Sequence, residues 1–287
     1  MANLLAKPAV IVISSHVARG TVGNRAAVFA LESLGFPVWA VPTIMLPWHP
    51  GHGRATRIVP DPKAFAALIG DLGKARWLPE VGAIISGYLG DAAQADAIAE
   101  LVKTVKAANP GVIYLCDPVI GDANGLYVKQ EVAEAIRDKL LPLADVTTPN
   151  RFELAWLTGM PVTDNAAIIR AAQKLGIAQT LVTTAHGMMT GSIGNLFLSP
   201  NLALLAEHRL VDGPSNGLGD LSSALLISHL LANESEERAV KGTVASVFEV
   251  MARAAKRSSD ELMLAEDANS LAHPMAMVQT RRLVVGK

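Results

Sequence analysis

Val211-Asp212-Gly213-Pro214-Ser215-Asn216-Gly217-Leu218-Gly219-Asp220-Leu221-Ser222-Ser223 is the stretch on which the reading turns, and the apolar run Ala224 to Leu231 follows it directly. The spacing predicts a glycine-containing turn that feeds into a buried helix. Gly217 and Gly219 carry no Cβ, so the main chain can approach a ligand closely. A helix that starts there points its first unpaired N–H groups, and the positive end of its dipole, at that ligand. An anion, phosphate before others, is the natural occupant. Asp220 then stands at the mouth of an anion site, where a carboxylate is disfavoured unless it has chemical work. Taking a proton from an attacking hydroxyl beside the phosphate is such work. A competing reading makes Asp220 an ordinary helix N-cap, and the motif alone does not separate the two.

The chain before this stretch alternates between strands and helices. Ala9 to Ile13 is a β-branched run that fits a strand buried on both faces, with Ser14-Ser15-His16-Val17 ending it. A helix closes near Leu34-Gly35 and a strand follows over 38–43. Residues 47–57, rich in Pro, Gly and His, predict an irregular loop, of the kind that often serves as a lid. Helices over 62–72, 91–108, 129–141, 150–157 and 164–175 interleave with strands over 82–86, 112–116, 145–147 and 179–184. This order implies a mostly parallel sheet with helices on both faces. The pieces 192–198 and 203–210 read as a late antiparallel hairpin, and 236–257 as a long amphipathic helix. No repeat or linker interrupts the chain, so one domain over 1–287, with a lid loop about 46–58, is the expectation. The tail from Ser258 has no clear pattern.

Composition narrows the function. The 287 residues are 51% hydrophobic and 18% charged with a net charge of −1, enough for a large core and unlike a nucleic-acid surface. The single cysteine, Cys116, lies in an apolar strand-like run, so no disulfide framework exists and a reducing cytoplasm fits. The N-terminal apolar run is too short to span a membrane and no signal-like cleavage site follows it. The expectation is therefore a cytoplasmic chain with small-molecule partners, no nucleic acid and no membrane.

In an open parallel sheet, ligands bind beyond the carboxyl ends of the strands. Small and polar residues gather there: Ser14-Ser15-His16, Thr43, Ser86-Gly87-Tyr88, Asp117-Pro118, Thr148-Pro149-Asn150 and Thr183-Thr184. Asp117, Asp122, Glu153 and Asp220 supply the hard oxygens that a magnesium ion on phosphates prefers. Zinc spacing, a Gly-x-Ser-x-Gly elbow and the Walker-A pattern are all missing.

These residues carry a resemblance that covers roughly 9–255. The chain resembles a pyridoxal kinase of the ribokinase-like superfamily through Ser15-His16-Val17 with Gly20 and Gly23-Asn24, and through Ser86-Gly87-Tyr88-Leu89-Gly90. Asp117-Pro118-Val119-Ile120-Gly121-Asp122, Thr148-Pro149-Asn150 with Glu153, and Gly217-Leu218-Gly219-Asp220 complete the match. The resemblance implies ATP-dependent phosphorylation of a 5′-hydroxymethyl group, with Asp220 as base and Asn216, Gly217, Leu218 and Gly219 as the anion hole. Ser15, Thr43, His49, Pro50, Gly51 and Asp220 would bind the vitamer. Asp117, Asp122, Thr148, Asn150, Glu153, Thr183 and Thr184 would face ATP, with Asp117 and Glu153 on Mg2+ and Thr148 near K+ or another monovalent cation. A homodimer is also implied. Leu218 stands where that family has Thr or Val, Arg19 replaces an aromatic residue, and the lid sequence differs. A hydroxymethylpyrimidine or other small-alcohol kinase, and a non-catalytic vitamer-binding homologue, are the alternatives.

Overall fold

The computed structural model describes residues 7–284. Its elements run β1 (Ala9–Val17), α1 (Asn24–Ser33), β2 (Val38–Leu46), α2 (Pro62–Leu72), β3 (Val81–Ser86), α3 (Gln94–Ala108) and β4 (Ile113–Cys116). A small pair β5 (Gly121–Asp122) and β6 (Gly125–Leu126) follows, then α4 (Gln130–Ala135), β7 (Val146–Thr147), α5 (Arg151–Thr158), α6 (Asn165–Leu175) and β8 (Gln179–His186). The chain ends through β9 (Ser192–Leu198), β10 (Ala203–Arg209), α7 (Leu218–Leu231), α8 (Glu236–Lys256), α9 (Ala268–Ala272) and β11 (Gln279–Arg282).

The main sheet has nine strands in the order β11-β10-β9-β8-β7-β4-β3-β1-β2. The six strands from β2 to β8 are parallel neighbours, and β9, β10 and β11 continue the sheet antiparallel. The mostly parallel sheet and the late hairpin are as expected. The tail, unreadable from sequence, supplies α9 and the edge strand β11. No described helix is long and apolar enough to cross a membrane.

Alternation along β1 explains the two faces. Val10 and Val12 pack with α1, α7 and α8, whereas Ile11 and Ile13 pack with α2 and α3 on the other side. A strand covered on both faces has no polar side to show, hence its unbroken apolar sequence. The same logic applies to α7, which lies between α1 and α8: every residue from Leu221 to Ile227 is almost wholly buried. A helix without a polar face is a buried helix.

Local chemistry sets where the elements begin. Asp61 caps α2 by accepting from the Lys63 and Ala64 amides, with Pro62 at the first helical position. Asp164 caps α6 through the Ala167 amide at 2.7 Å.

Four details go beyond the reading of the sequence. β1 continues past Ile13 to Val17 because a bulge between Ser14 and His16 lets pairing with β2 resume. The region 129–141 is not one α-helix: α4 widens over Ile136–Leu140, and a tighter turn follows over Leu141–Leu143, where Pro142 cannot continue it. The 117–127 loop folds back as the β5–β6 pair. The 47–57 loop is closed at its base, where Met45 and Ile58 exchange both main-chain hydrogen bonds at 2.9 and 3.0 Å.

Because α7 is enclosed on all sides, shortening one of its core side chains leaves a cavity that neighbours on both sides must line. Leu225→Ala is expected to cost about 2–5 kcal/mol, read as a lower urea midpoint at unchanged slope.

Candidate active site

Strand order places a crevice at the carboxyl edge between β1 and β3, since the connection after β1 runs outward to β2 on one side and that after β3 runs to β4 on the other. A cavity of about 700 Å³ lies there. Ser15, Val22 and Tyr88 come to its wall from the ends of β1 and β3, and His49, Pro50, Gly51 and Arg57 from the loop after β2. Asp117, Thr148, Asn150, Glu153, Thr183 and Thr184 follow from the exits of β4, β7 and β8, and Asp122 from the β5–β6 turn. The turn from Ser215 to Asp220 closes the floor.

That turn is built by its glycine. Gly217, at φ 83°, is the N-cap of α7 and makes no side-chain cap. A Cβ there would fall 2.0 Å from the Thr21 carbonyl oxygen, so two stretches of main chain are in direct contact. Asp220 sits in the first turn of α7 and is not the cap, which removes the bland reading. The Gly23 amide, the Asp220 amide and the Ser14 hydroxyl act to lower the pKa of the Asp220 carboxyl group. Gly87 lets the chain pass close to Ser14: a Cβ there would lie 2.6 Å from Ser14 Oγ.

Asp117 and Glu153 are 5% and 3% exposed. Ser223, three residues after Asp220 and on the same side of α7, donates to Asp117 Oδ2 at 3.1 Å. Thr148 Oγ1 lies 2.8 Å from Ser223 Oγ and extends the chain of hydroxyls. Glu153 completes a capping box with Asn150 at the start of α5. Its Oε1 accepts from the Ile120 amide at 3.1 Å and its Oε2 from the Asn150 amide at 2.8 Å. Both oxygens are thus aimed by main chain rather than by a cation.

None of Asp117, Glu153 and Asp220 has a salt-bridge partner among the described residues. Burial pushes Asp117 up to about 7, with Asp220 adding repulsion. Burial and then Asp117 push Glu153 up to about 8. Burial alone raises Asp220 to about 6, against the hydrogen bonds that hold it down. Such a wall calls for a cation from outside the protein. No group of three or more His, Cys, Asp or Glu among the described residues could hold a metal ion. Asp117 and Glu153 could hold a hard cation such as Mg2+ only with phosphate and water as its other ligands.

Every candidate residue from the sequence reaches this cavity except Thr43. That residue is fully buried; its hydroxyl donates to the Tyr88 carbonyl at 2.7 Å, and its own carbonyl accepts from Gln94 Nε2 at 2.8 Å. Thr43 braces the loop that carries Tyr88 and lies behind the cavity wall. Thr184 adopts φ 57°, unusual for a β-branched residue, where pairing of β8 with β9 is interrupted. His49 accepts from the Gly51 amide through Nδ1 at 3.1 Å, and burial lowers its pKa.

Sequence reasoning missed the part of the wall made by β9, β10 and α8. Asn195, His208, Val244, Val247, Phe248 and Met251 line it. His208 stacks on Phe248 at 4.3 Å, its Nδ1 donates to the Arg209 carbonyl at 2.9 Å, and burial lowers its pKa. Residues 244, 247, 248 and 251 form one helical stripe, and periodicity alone cannot tell a core stripe from a pocket wall.

A family model described as phosphomethylpyrimidine kinase matches residues 79–265. Pyridoxal kinase PdxY of Corynebacterium diphtheriae is 34% identical over 278 residues, covering 94% of this chain and 98% of that protein. Pyridoxal kinase PdxY of Granulibacter bethesdensis is 37% identical over 261 residues, covering 88% and 91%. Among solved structures, pyridoxal kinase from Leishmania donovani in complex with ADP and pyridoxamine superposes with a TM-score of 0.90 at 27% identity, over 96% of this chain and 100% of that one.

The raised carboxylates give a pH signature. Between the unfolded value near 4 and the native values of about 6 to 8, the native state holds protons that the unfolded state has released. Their joint contribution therefore falls as pH rises through that window. Asp117→Asn keeps the acceptor for Ser223 and removes one charge. It should be more stable than the parent at pH 8, by on the order of a few kcal/mol, and the gap should shrink towards pH 5. Chemical unfolding of both proteins without divalent cations, across this range, checks it.

Proposed function

This chain belongs to the pyridoxal kinase family, and on that premise we propose that Asp220 is the general base of its phosphoryl transfer. The enzyme phosphorylates the 5′-hydroxymethyl group of pyridoxal and related B6 vitamers with ATP. Asp220 takes the hydroxyl proton as the alcohol oxygen bonds to the γ-phosphorus and the bond from that phosphorus to the leaving ADP oxygen breaks. The observation that carries this reading is a carboxylate in the first turn of α7, unpaired with any basic group and raised by burial to about 6. A base of that strength is ionised at neutral pH yet retains appetite for a proton.

The other roles follow from position. The amides of Asn216, Gly217, Leu218 and Gly219, backed by the positive end of α7, stabilise the charge spreading over the travelling phosphoryl group. This cradle is main chain, so Leu218 can supply it without a side-chain hydroxyl. Asp117 and Glu153 hold Mg2+, which when bound neutralises phosphate charge. Thr148, Asn150, Asp122, Thr183 and Thr184 face ATP, while Ser15 and His49-Pro50-Gly51 enclose the vitamer. A potassium-type ion would sit near Thr148.

We read the whole chain, 1–287, as one catalytic domain with 46–58 as its lid, acting as a cytoplasmic homodimer. Exposed Leu68 and Trp77, both about half accessible, offer apolar surface to a second copy; light scattering at the mass of a single chain would remove the dimer. The family model's description keeps a hydroxymethylpyrimidine kinase as a second reading, and a substrate panel followed by ADP release separates the two.

Asp220→Asn should lower kcat with pyridoxal by about 10²- to 10⁴-fold and leave both KM values within a few-fold. Retention of the parental rate would remove Asp220 as the base.

A further inference from the structure

A carboxylate outside the cavity wall ties together two loops that form it. Glu261, in the connection between α8 and α9, is 8% exposed. Its Oε2 accepts from the Thr21 amide at 3.2 Å and from Thr21 Oγ1 at 3.5 Å. Its Oε1 pairs with His52 Nε2 at 2.9 Å and lies 3.7 Å from Arg19 Nη1. Arg19 Nη2 donates to both oxygens of Asp260 at 3.1 Å, and Asp260 Oδ2 is 3.8 Å from His52 Nδ1. Gly20, at φ 110°, passes so close that a Cβ would lie 2.6 Å from Glu261 Oε1.

Both partners of Glu261 lead back to the cavity. The Thr21 carbonyl is the atom against which Gly217 packs. His52 ends the short turn Pro50–His52, whose Pro50 and Gly51 are on the wall. Gly51 in turn faces Asn216: a Cβ there would be 3.7 Å from Asn216 Nδ2. Burying a carboxylate is costly unless its oxygens are satisfied, and here the satisfying groups come from residues 209 and 240 positions away in the chain.

We propose that Glu261 is a positioning residue that clasps the 50–52 turn over the vitamer and at the same time braces the loop behind the 216–220 turn. It touches no reactant; it acts through His52 and Thr21. The inference rests on the kinase reading of the cavity given above.

Steady-state kinetics with pyridoxal and ATP on the parent, His52→Ala, Glu261→Gln and the double variant test it. His52→Ala should raise the KM for pyridoxal about tenfold, the scale of one lost charge-assisted hydrogen bond, and leave the KM for ATP unchanged. Glu261→Gln should raise the pyridoxal KM similarly and also lower kcat several-fold, since the brace on Thr21 loosens too. The double variant should show no higher pyridoxal KM than Glu261→Gln alone. Independently of turnover, trypsin should cut at Arg54 and Arg57 faster in both single variants than in the parent. Additive KM effects, or unchanged KM and cleavage, would overturn the clasp. His52→Ala alters an exposed loop, so it decides the matter even if Glu261→Gln folds poorly. A parent that makes no phosphate ester from pyridoxal overturns the kinase reading instead, and the cleavage rates then decide the clasp alone.

Discussion

Burial of α7 on every side fixes where its first turn can emerge. An apolar helix wedged between α1 and α8 cannot slide without exposing Leu221, Leu225 or Ile227. Its N-terminus is further pinned by the contact of Gly217 with the Thr21 main chain. The consequence is a rigid row of amides at the carboxyl edge of the sheet, with Asp220 held one turn in. Fold stability and the geometry of that amide row therefore share the same packing.

Around that row the chain gathers three desolvated carboxyl groups without an ion-pair partner among the described residues. Asp117, Glu153 and Asp220 are each aimed by hydroxyls or amides, which orient a carboxylate while leaving its charge in place. A lysine here would stabilise the empty protein and compete with the cation that accompanies ATP. Among the described residues the three carboxyl groups have no ion-pair partner, so a cation from solution would meet no internal competitor.

Much of this was legible in the chain itself. Ala9 to Ile13, the polar residues at each strand exit and the Gly-Leu-Gly-Asp turn carry local signals strong enough to place the sheet, the crevice and the turn that opens α7. What escaped depends on distance in sequence. The link from the Thr43 hydroxyl to the Tyr88 carbonyl spans 45 residues and leaves no local signal. The α8 stripe reads as ordinary core because one side of a helix can face a pocket and a sheet with the same periodicity. The tail gave no pattern, since its role lies in two acidic side chains, Asp260 and Glu261, and a four-residue strand, each meaningful only against remote partners.

The margins of the nine-stranded sheet govern how copies can meet. At the β2 side, Ile58 takes both main-chain groups of Met45 and Gln94 takes the Thr43 carbonyl, so that border is already occupied at its carboxyl end. At the opposite side β11 spans only four residues, with Arg281 and Arg282 among them. Short, charged or self-covered borders resist continuation of the ladder into a neighbouring molecule. Both borders therefore present few free main-chain groups from which a fibrous stack could be seeded in a crowded solution.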